Sequence, residues 1–346
     1  MAEDNNTVTE GLIYVHDSQP GYTRRKHGRG FVYLDHEGNV IRDESSLKRL
    51  RALKIPPAWE KVWICRMPSG YLQATGYDTR QRKQYLYHAQ WAVMSQTEKF
   101  KNLYRFGKSL PVIRKTTEEN LKLKGWPREK MLALIIRLMD KKYMRVGNKF
   151  YEEENETYGI TTLRRKHLNE EDGKLILEYK AKSGKYREVE IADSQLVKLV
   201  KESSDLPGYE IFRYLDEDGR SQPIDSKDVN DFLREITNED FTSKSFRTWS
   251  GTVLALKEWE PARKETEGDK RKSLKTAIVK NVAEKLGNTP AIAEQYYIHP
   301  AVLALISTDD FRPKKPDTKN FSKQEVEFLD DTELRVLQIL EDEVPG

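Results

Sequence analysis

A single cysteine, Cys65, stands in 346 residues, so no intramolecular disulfide can form and the chain suits a reducing compartment. Long apolar runs are missing too: no stretch approaches the roughly 18 consecutive apolar residues of a membrane helix. The opening residues, Met-Ala-Glu-Asp-Asn-Asn-Thr, hold no apolar h-region, so no secretory leader is expected. There is no G-x-x-x-x-G-K-[ST] loop for nucleotide phosphates and no G-x-S-x-G elbow for a serine nucleophile. The six histidines, at positions 16, 27, 36, 88, 167 and 299, lack ligand spacing such as H-E-x-x-H, and one Cys builds no zinc cluster. These absences predict a soluble cytoplasmic protein whose chemistry uses neither a cofactor nor a metal and which has no membrane partner.

What the chain has in quantity is charge. Charged residues make up 34% against 37% hydrophobic, with a mean hydropathy of -0.79, enough apolar material for two domains and a tail. The net charge of +4 hides an asymmetry. Residues 309–346 carry six Lys/Arg against eleven Asp/Glu, a balance of -5 that leaves +9 on the rest. A basic body with an acidic tail suits a polyanion, because cations that neutralise phosphates release condensed counterions. Ordinary Lys/Glu surface decoration accounts for the same sum.

Strand signals dominate early. Leu12-Ile-Tyr-Val, Phe31-Val-Tyr-Leu, Val62-Trp-Ile-Cys and Tyr71-Leu-Gln-Ala are short β-rich runs, punctuated by His36-Glu-Gly-Asn and Pro68-Ser-Gly. Residues 43–54 predict a helix halted before Pro56-Pro57, and Cys65 reads as a small core residue. Helical periods take over near His88. Gly125-Trp-Pro127 opens a helix with Met131, Leu134, Ile135, Leu138 and Met139 on its apolar face. Two strand-like runs flank Lys182-Ser-Gly-Lys185, predicting a hairpin over 175–191, and a second is expected over 211–224 around Asp216-Glu-Asp-Gly219. Helices are expected to resume at Ser226, as N-cap, and again after Gly251. Residues 261–273 predict a mobile loop, and 323–340 one amphipathic helix holding most of the tail's acid. The fold class is α+β: a β-rich N-terminal domain over residues 1–90, a mainly α domain containing a β-hairpin over 91–310, and an acidic helical tail over 311–346, which is expected to pack on the α domain.

Basic residues recur at turns and beside glycines or aromatics. Arg145 lies in Tyr-Met-Arg-Val-Gly-Asn, Lys182 and Lys185 on the hairpin tip, and Lys244 and Arg247 in Thr-Ser-Lys-Ser-Phe-Arg-Thr-Trp. Guanidiniums grip phosphate bidentately and a lysine can reach in on a flexible stem, yet each residue alone reads equally well as surface charge. Tyr296 and Tyr297, in Leu286-Gly-Asn-Thr-Pro-Ala-Ile-Ala-Glu-Gln-Tyr-Tyr-Ile-His299, read as helix packing residues. In the β domain, residues 71–88 mix Arg, Lys and Tyr, a composition suited to phosphate and groove contact.

Four ordered motifs carry a resemblance. Arg145-Val-Gly-Asn with Tyr151, Asn155, Gly159, Thr161-Thr-Leu163 and His167 is similar to the first arginine block of the small single-chain type IB DNA topoisomerases of bacteria and large DNA viruses. Ala181-Lys-Ser-Gly-Lys185 resembles their lysine hairpin, Lys244-Ser-Phe-Arg-Thr-Trp249 their second arginine block, and Leu286-Gly-Asn-Thr-Pro290 with Tyr297 their nucleophile helix. The resemblance covers about residues 12–306. It implies a C-shaped clamp, hinged near residues 88–96, that relaxes supercoiled duplex DNA as a nucleoid-associated monomer through a transient 3′-phosphotyrosine. By position it implies Tyr297 as nucleophile, Arg145 and Arg247 on the scissile phosphate, Lys182 as general acid and Lys244 as a helper. Viral members carry His where this chain has Asn288, which implies a neutral hydrogen-bond donor there. Arg82, Tyr85, Tyr87 and Tyr151 match duplex-contacting residues, with Gln73 and Lys83 as further candidate readers, and relatives carry Arg where this chain has Tyr77. A site-specific tyrosine recombinase uses a similar basic set, though with a helical arm-binding domain that is not visible here. A non-catalytic architectural DNA-binding protein would leave linking number unchanged.

Overall fold

The computed structural model describes residues 7–9, 11–79, 81–269, 271–308 and 310–342. Two compact units, Met1–Glu98 and Lys99–Gly346, divide the chain, and no helix among the described residues is long and apolar enough to cross a membrane.

The first unit is built on a five-stranded antiparallel sheet. Its strands run, edge to edge, Gly30–Leu34, Tyr22–His27, Glu60–Ile64, Leu72–Tyr77 and Lys83–Tyr87. The second of these is Tyr-Thr-Arg-Arg-Lys-His, too charged to show as a strand by composition. Arg24 explains how it is held: its guanidinium donates to the carbonyls of Ile55 at 2.8 Å and Pro56 at 2.7 Å and lies 4.0 Å over the Phe31 ring. The helix Glu44–Ala52 starts at the Asp43 N-cap, whose carboxylate accepts from Ser46 N, and buries Leu50 against Tyr33, Ile55, Val62, Ile64 and Ala74. Cys65 is buried with Val15 and Leu72.

The unit boundary falls inside the 33-residue helix Ala89–Leu121. In the second unit the helix Arg128–Lys142 is central: Met131, Leu134, Ile135 and Leu138 are fully buried and Met139 nearly so, each worth about 2 kcal/mol of transfer from water. Pro127 is its N-cap. The expected 175–191 hairpin is present as Lys174–Lys180 paired with Tyr186–Ile191, but a third strand, Leu168–Glu171, joins it. That strand reads Leu-Asn-Glu-Glu and lies at an edge, where polar residues hide the pattern. Arg213–Leu215 and Ser221–Pro223 form the second hairpin.

Four expectations are corrected. Asp225, not Ser226, caps the helix Ser226–Thr237, because its carboxylate accepts from both Lys227 N and Asp228 N. The next helix begins before Gly251: Ser243–Lys257 carries it at mid-helix, tolerated because the position is filled by another backbone, described below. Residues 261–266 are helical within Trp259–Thr266, anchored by buried Trp259 and Ala262. The tail helix is two, Lys323–Phe328 and Asp331–Glu341, broken where Asp330 turns its carboxylate back to cap the second.

The tail packs into the second unit. Arg114 donates to Asp140 through Nε and Nη2, both at 2.9 Å, and to Glu333 at 2.6 and 2.7 Å, all three side chains being buried. Glu333 also accepts from Trp249 Nε1 at 3.2 Å, and Trp249 lies on Ser243–Lys257.

Candidate active site

Four local structures converge in the second unit. The first follows the helix Arg128–Lys142, which ends at Tyr143 in the left-handed region (φ 55). Arg145 comes next, and its loop is pinned by Ile160 N donating to Arg145 O (2.9 Å) and Thr161 N to Val146 O (2.7 Å). Gly147, at φ +103, lies so close to Gly159 that a Cβ on Gly159 would strike the Gly147 backbone, while one on Gly147 would press on the Thr161 hydroxyl and crowd Gly159. This accounts for the two glycines and the threonine spaced after Arg145. The second structure is the hairpin tip, where Ser183 (φ 68) and Gly184 (φ 74) turn the chain and Ala181 N closes onto Lys185 O at 2.7 Å, presenting Lys182. The third is Ser243–Lys257, with Lys244 exposed in its first turn and Arg247 one turn on, 5% exposed.

The fourth runs from Gly287, the left-handed C-cap of Leu274–Leu286, through Asn288 to the short helix Pro290–Tyr296, capped by Thr289. Tyr297 follows as C-cap, its N–H donating to Ala293 O at 3.0 Å. Buried Ile298 and Ala293 fix this end to the core. Gly251 makes the approach possible: a Cβ there would collide with the Tyr297 carbonyl oxygen and Cβ. The Thr252 hydroxyl, 3.3 Å from Tyr297 O, also accepts from His299 N at 3.0 Å.

The groups meet around the Tyr297 ring. Arg145 Nη2 donates to Asn288 Oδ1 at 2.5 Å, Lys185 Nζ to Asn288 O at 2.9 Å, and the Arg247 guanidinium carbon sits 4.9 Å from the Tyr297 ring centroid. Arg247 uses one N–H on Tyr143 O (2.7 Å) and another on Leu286 O (2.9 Å). Its Nε, and Asn288 Nδ2, are buried donors with no partner. None of Arg145, Lys182, Lys185, Lys244 and Arg247 pairs with a carboxylate among the described residues. Buried donors without acceptors are costly, and two in one cation cluster have hydrogen bonds to offer an anion.

Electrostatics follow from this crowding. Burial pushes the Tyr297 phenol up, but Arg247, Arg145 and Lys182 together outweigh it and leave the group below its ordinary 10.0. Lys182 is lowered, first by desolvation and further by Arg145, Lys244 and Arg247, against the pull of Tyr297. Burial pushes Arg247 down to about 10, so it stays charged at neutral pH. Such a cluster can hold a phosphate diester, present a partly activated phenol to it and offer a loosely held ammonium proton.

Tyr296, one residue away, is 41% exposed and outside this cluster. Sequence reasoning missed three residues. Arg187 donates to Leu286 O at 2.8 Å and Lys285 O at 3.2 Å, capping the helix end beside Asn288. Gly251 and Thr252 shape the seat of Tyr297. Nothing in an isolated strand arginine or a mid-helix glycine signals such roles.

The candidate DNA-contacting residues of the first unit divide. Tyr85 and Tyr87 are exposed and stacked at 6.2 Å, Tyr87 continues to Tyr71 at 6.0 Å, and Tyr71 stacks on Tyr14 at 4.9 Å, a row the sequence did not reveal. Arg82 is held by Asp78 at 2.6 Å and Lys83 by Asp17 at 2.6 Å, and Lys61 lies 5.7 Å over the Tyr77 ring. Gln73 is not displayed. It is 4% exposed, and its amide serves Met67, Pro68 and Gly70 carbonyls and Arg49, so it builds the turn instead of reading a base. Tyr151 sits on the helix Lys149–Asn155, its side chain outside the described residues.

Comparison with known proteins decides the family. A family model described as eukaryotic DNA topoisomerase I, catalytic core, matches residues 81–324, and one described as bacterial DNA topoisomerase IB, N-terminal domain, matches residues 30–78. The chain belongs to the type IB DNA topoisomerases. It is 30% identical to the DNA topoisomerase 1B of Acanthamoeba polyphaga mimivirus over 305 residues, 86% of this chain and 88% of that protein. It is 23% identical to the DNA topoisomerase I of Monkeypox virus and to the DNA topoisomerase 1B of Vaccinia virus, over 83% of this chain and 90% of each. The chain is therefore an isomerase acting on DNA. The catalytic-core match takes in Arg145, Lys182, Lys244, Arg247, Asn288 and Tyr297 together.

Proposed function

We propose that this topoisomerase relaxes supercoiled duplex DNA by transient single-strand cleavage through Tyr297. The Tyr297 oxygen attacks the scissile phosphorus, the bond from phosphorus to the 5′ oxygen breaks, and a 3′-phosphotyrosine forms. The leaving 5′ oxygen takes its proton from Lys182, whose lowered affinity suits it to give one up. Arg145 and Arg247 bind the non-bridging oxygens, where negative charge grows in the transition state. Asn288 Nδ2 and Arg247 Nε, buried and unpartnered, are the donors placed to receive those oxygens, and this observation carries the reading. Lys244 adds positive charge beside Lys182.

Religation is the same path reversed, with the diester energy kept in the phosphotyrosine, so the proposal needs no ATP. Side-chain cations supply the positive charge, so it needs no added metal. Both units contact the duplex, and a single chain suffices for the reaction. Tyr85 and Tyr87 offer aromatic faces to the DNA, Tyr151 contacts it from the second unit, and Arg82 and Lys83 exchange Asp78 and Asp17 for phosphates. Incubation with negatively supercoiled plasmid in EDTA, without ATP, tests this: relaxed topoisomers are expected, and unchanged linking number at full DNA occupancy would refute it.

A further inference from the structure

Lys99 lies on the helix Ala89–Leu121, at the start of the second unit, and its ammonium donates to the carbonyl oxygen of Tyr296. The same ammonium is 5.5 Å from the Tyr297 ring centroid, 5.9 Å from that of Tyr296 and 4.8 Å from that of Phe100. No carboxylate pairs with it among the described residues. Lys99 is not among the residues of the proposed cleavage chemistry, and nothing in the sequence around it singles it out.

The carbonyl it holds is a significant one. Tyr296 ends the helix Pro290–Tyr296, and the last carbonyls of a helix have no intrahelical donor. A cation there also complements the negative helix end. That carbonyl belongs to the peptide bond joining Tyr296 to Tyr297, so fixing it fixes where the Tyr297 side chain departs. Tyr297's own carbonyl sits against Gly251 with the Thr252 hydroxyl at 3.3 Å. The residue is thus gripped on both flanking peptides, and its ring lies within reach of two cations, Lys99 and Arg247.

We infer that Lys99 is a positioning residue for DNA cleavage, holding the peptide ahead of Tyr297 so that the phenol is aimed at the phosphate. The inference rests on the reading of Tyr297 as nucleophile. It acts on the transition state shared by cleavage and religation, so both rates depend on it while DNA binding does not.

The test uses the full chain and a duplex oligonucleotide, comparing wild type, Lys99→Met, Lys99→Arg and Tyr297→Phe. A misplaced nucleophile costs on the order of tenfold to a hundredfold, so Lys99→Met should slow single-turnover cleavage and religation by that factor alike. Its DNA dissociation constant and thermal midpoint should match wild type, and Lys99→Arg should recover most of the rate. A wild-type rate in Lys99→Met, no recovery in Lys99→Arg, or losses of affinity or thermal stability that account for the lost rate would overturn the inference. Tyr297→Phe separates the two claims: cleavage by that variant sinks the nucleophile reading, whereas a dead Tyr297→Phe beside a normal Lys99→Met removes Lys99 alone.

Discussion

At Tyr297 two opposing influences are resolved by charge: burial alone would make the phenol a worse nucleophile, and the surrounding cations more than reverse it. Lys182 is pushed the same way, toward releasing its proton. The proposed cleavage needs the phenol deprotonated and the lysine protonated. The rate should therefore rise with pH toward a phenol transition below 10.0 and fall past a lysine transition below 10.5. Lys99, pushed down to about 8 by burial, adds a transition of its own, so the profile is best taken in the Lys99→Arg variant. Lys182→Met should lose the falling limb and about a hundredfold or more in rate, the usual worth of a general acid. A falling limb that survives this change would remove Lys182 from the role. Gly251 makes a second residue-scale prediction. Gly251→Ala should displace Tyr297 and cut cleavage at least about tenfold, while overpacking costs about 1–3 kcal/mol in urea unfolding. A normal rate would show that the seat of Tyr297 has room for a methyl group.

Between elements, the strongest coupling is the buried set Arg114, Asp140 and Glu333, which ties Ala89–Leu121, Arg128–Lys142 and Asp331–Glu341 together. Removing one partner strands the others without compensation, so Arg114→Met should cost about 3–5 kcal/mol. Burial raises the Glu333 carboxyl, but Arg114 overrides it and leaves the group below its ordinary 4.5. A depressed carboxyl contributes stability that is complete above the unfolded value and lost as pH falls through the folded one. Acid unfolding below about pH 4.5 should therefore be steeper in wild type than in Arg114→Met, as read by urea midpoints between pH 6 and 3. Equal slopes would mean that Glu333 is not held ionised. The apolar stripe of Arg128–Lys142 and the tip at Lys182-Ser-Gly-Lys185 were legible in the sequence, because periodicity and turn chemistry are local. The Arg-rich strand Tyr22–His27 and the edge strand Leu168–Glu171 were not, since partners distant in sequence give them their place. The same limit hid Gly251, Arg187 and Lys99, and it made the buried Gln73 look like a surface reader.

Across the whole molecule, charge is sorted rather than merely abundant. Three of the tail's acids are matched to cations of its own unit: Glu325 to Lys108, Asp330 to Lys257, Glu333 to Arg114. Arg145, Lys182, Lys244 and Arg247 are left without carboxylates among the described residues, which leaves four uncompensated cations in the proposed phosphate site. An imbalance of this kind favours a polyanion and weakens its grip as salt rises. On the proposed mechanism, relaxation of plasmid and covalent capture of DNA depend on one phenol among two neighbouring tyrosines. The decisive measurement compares Tyr297→Phe with Tyr296→Phe for plasmid relaxation and for denaturant-resistant protein–DNA adducts at equal DNA occupancy. Tyr297→Phe should bind DNA and yield neither activity, with Tyr296→Phe close to wild type; adducts formed by Tyr297→Phe, or their loss only in Tyr296→Phe, would contradict the account.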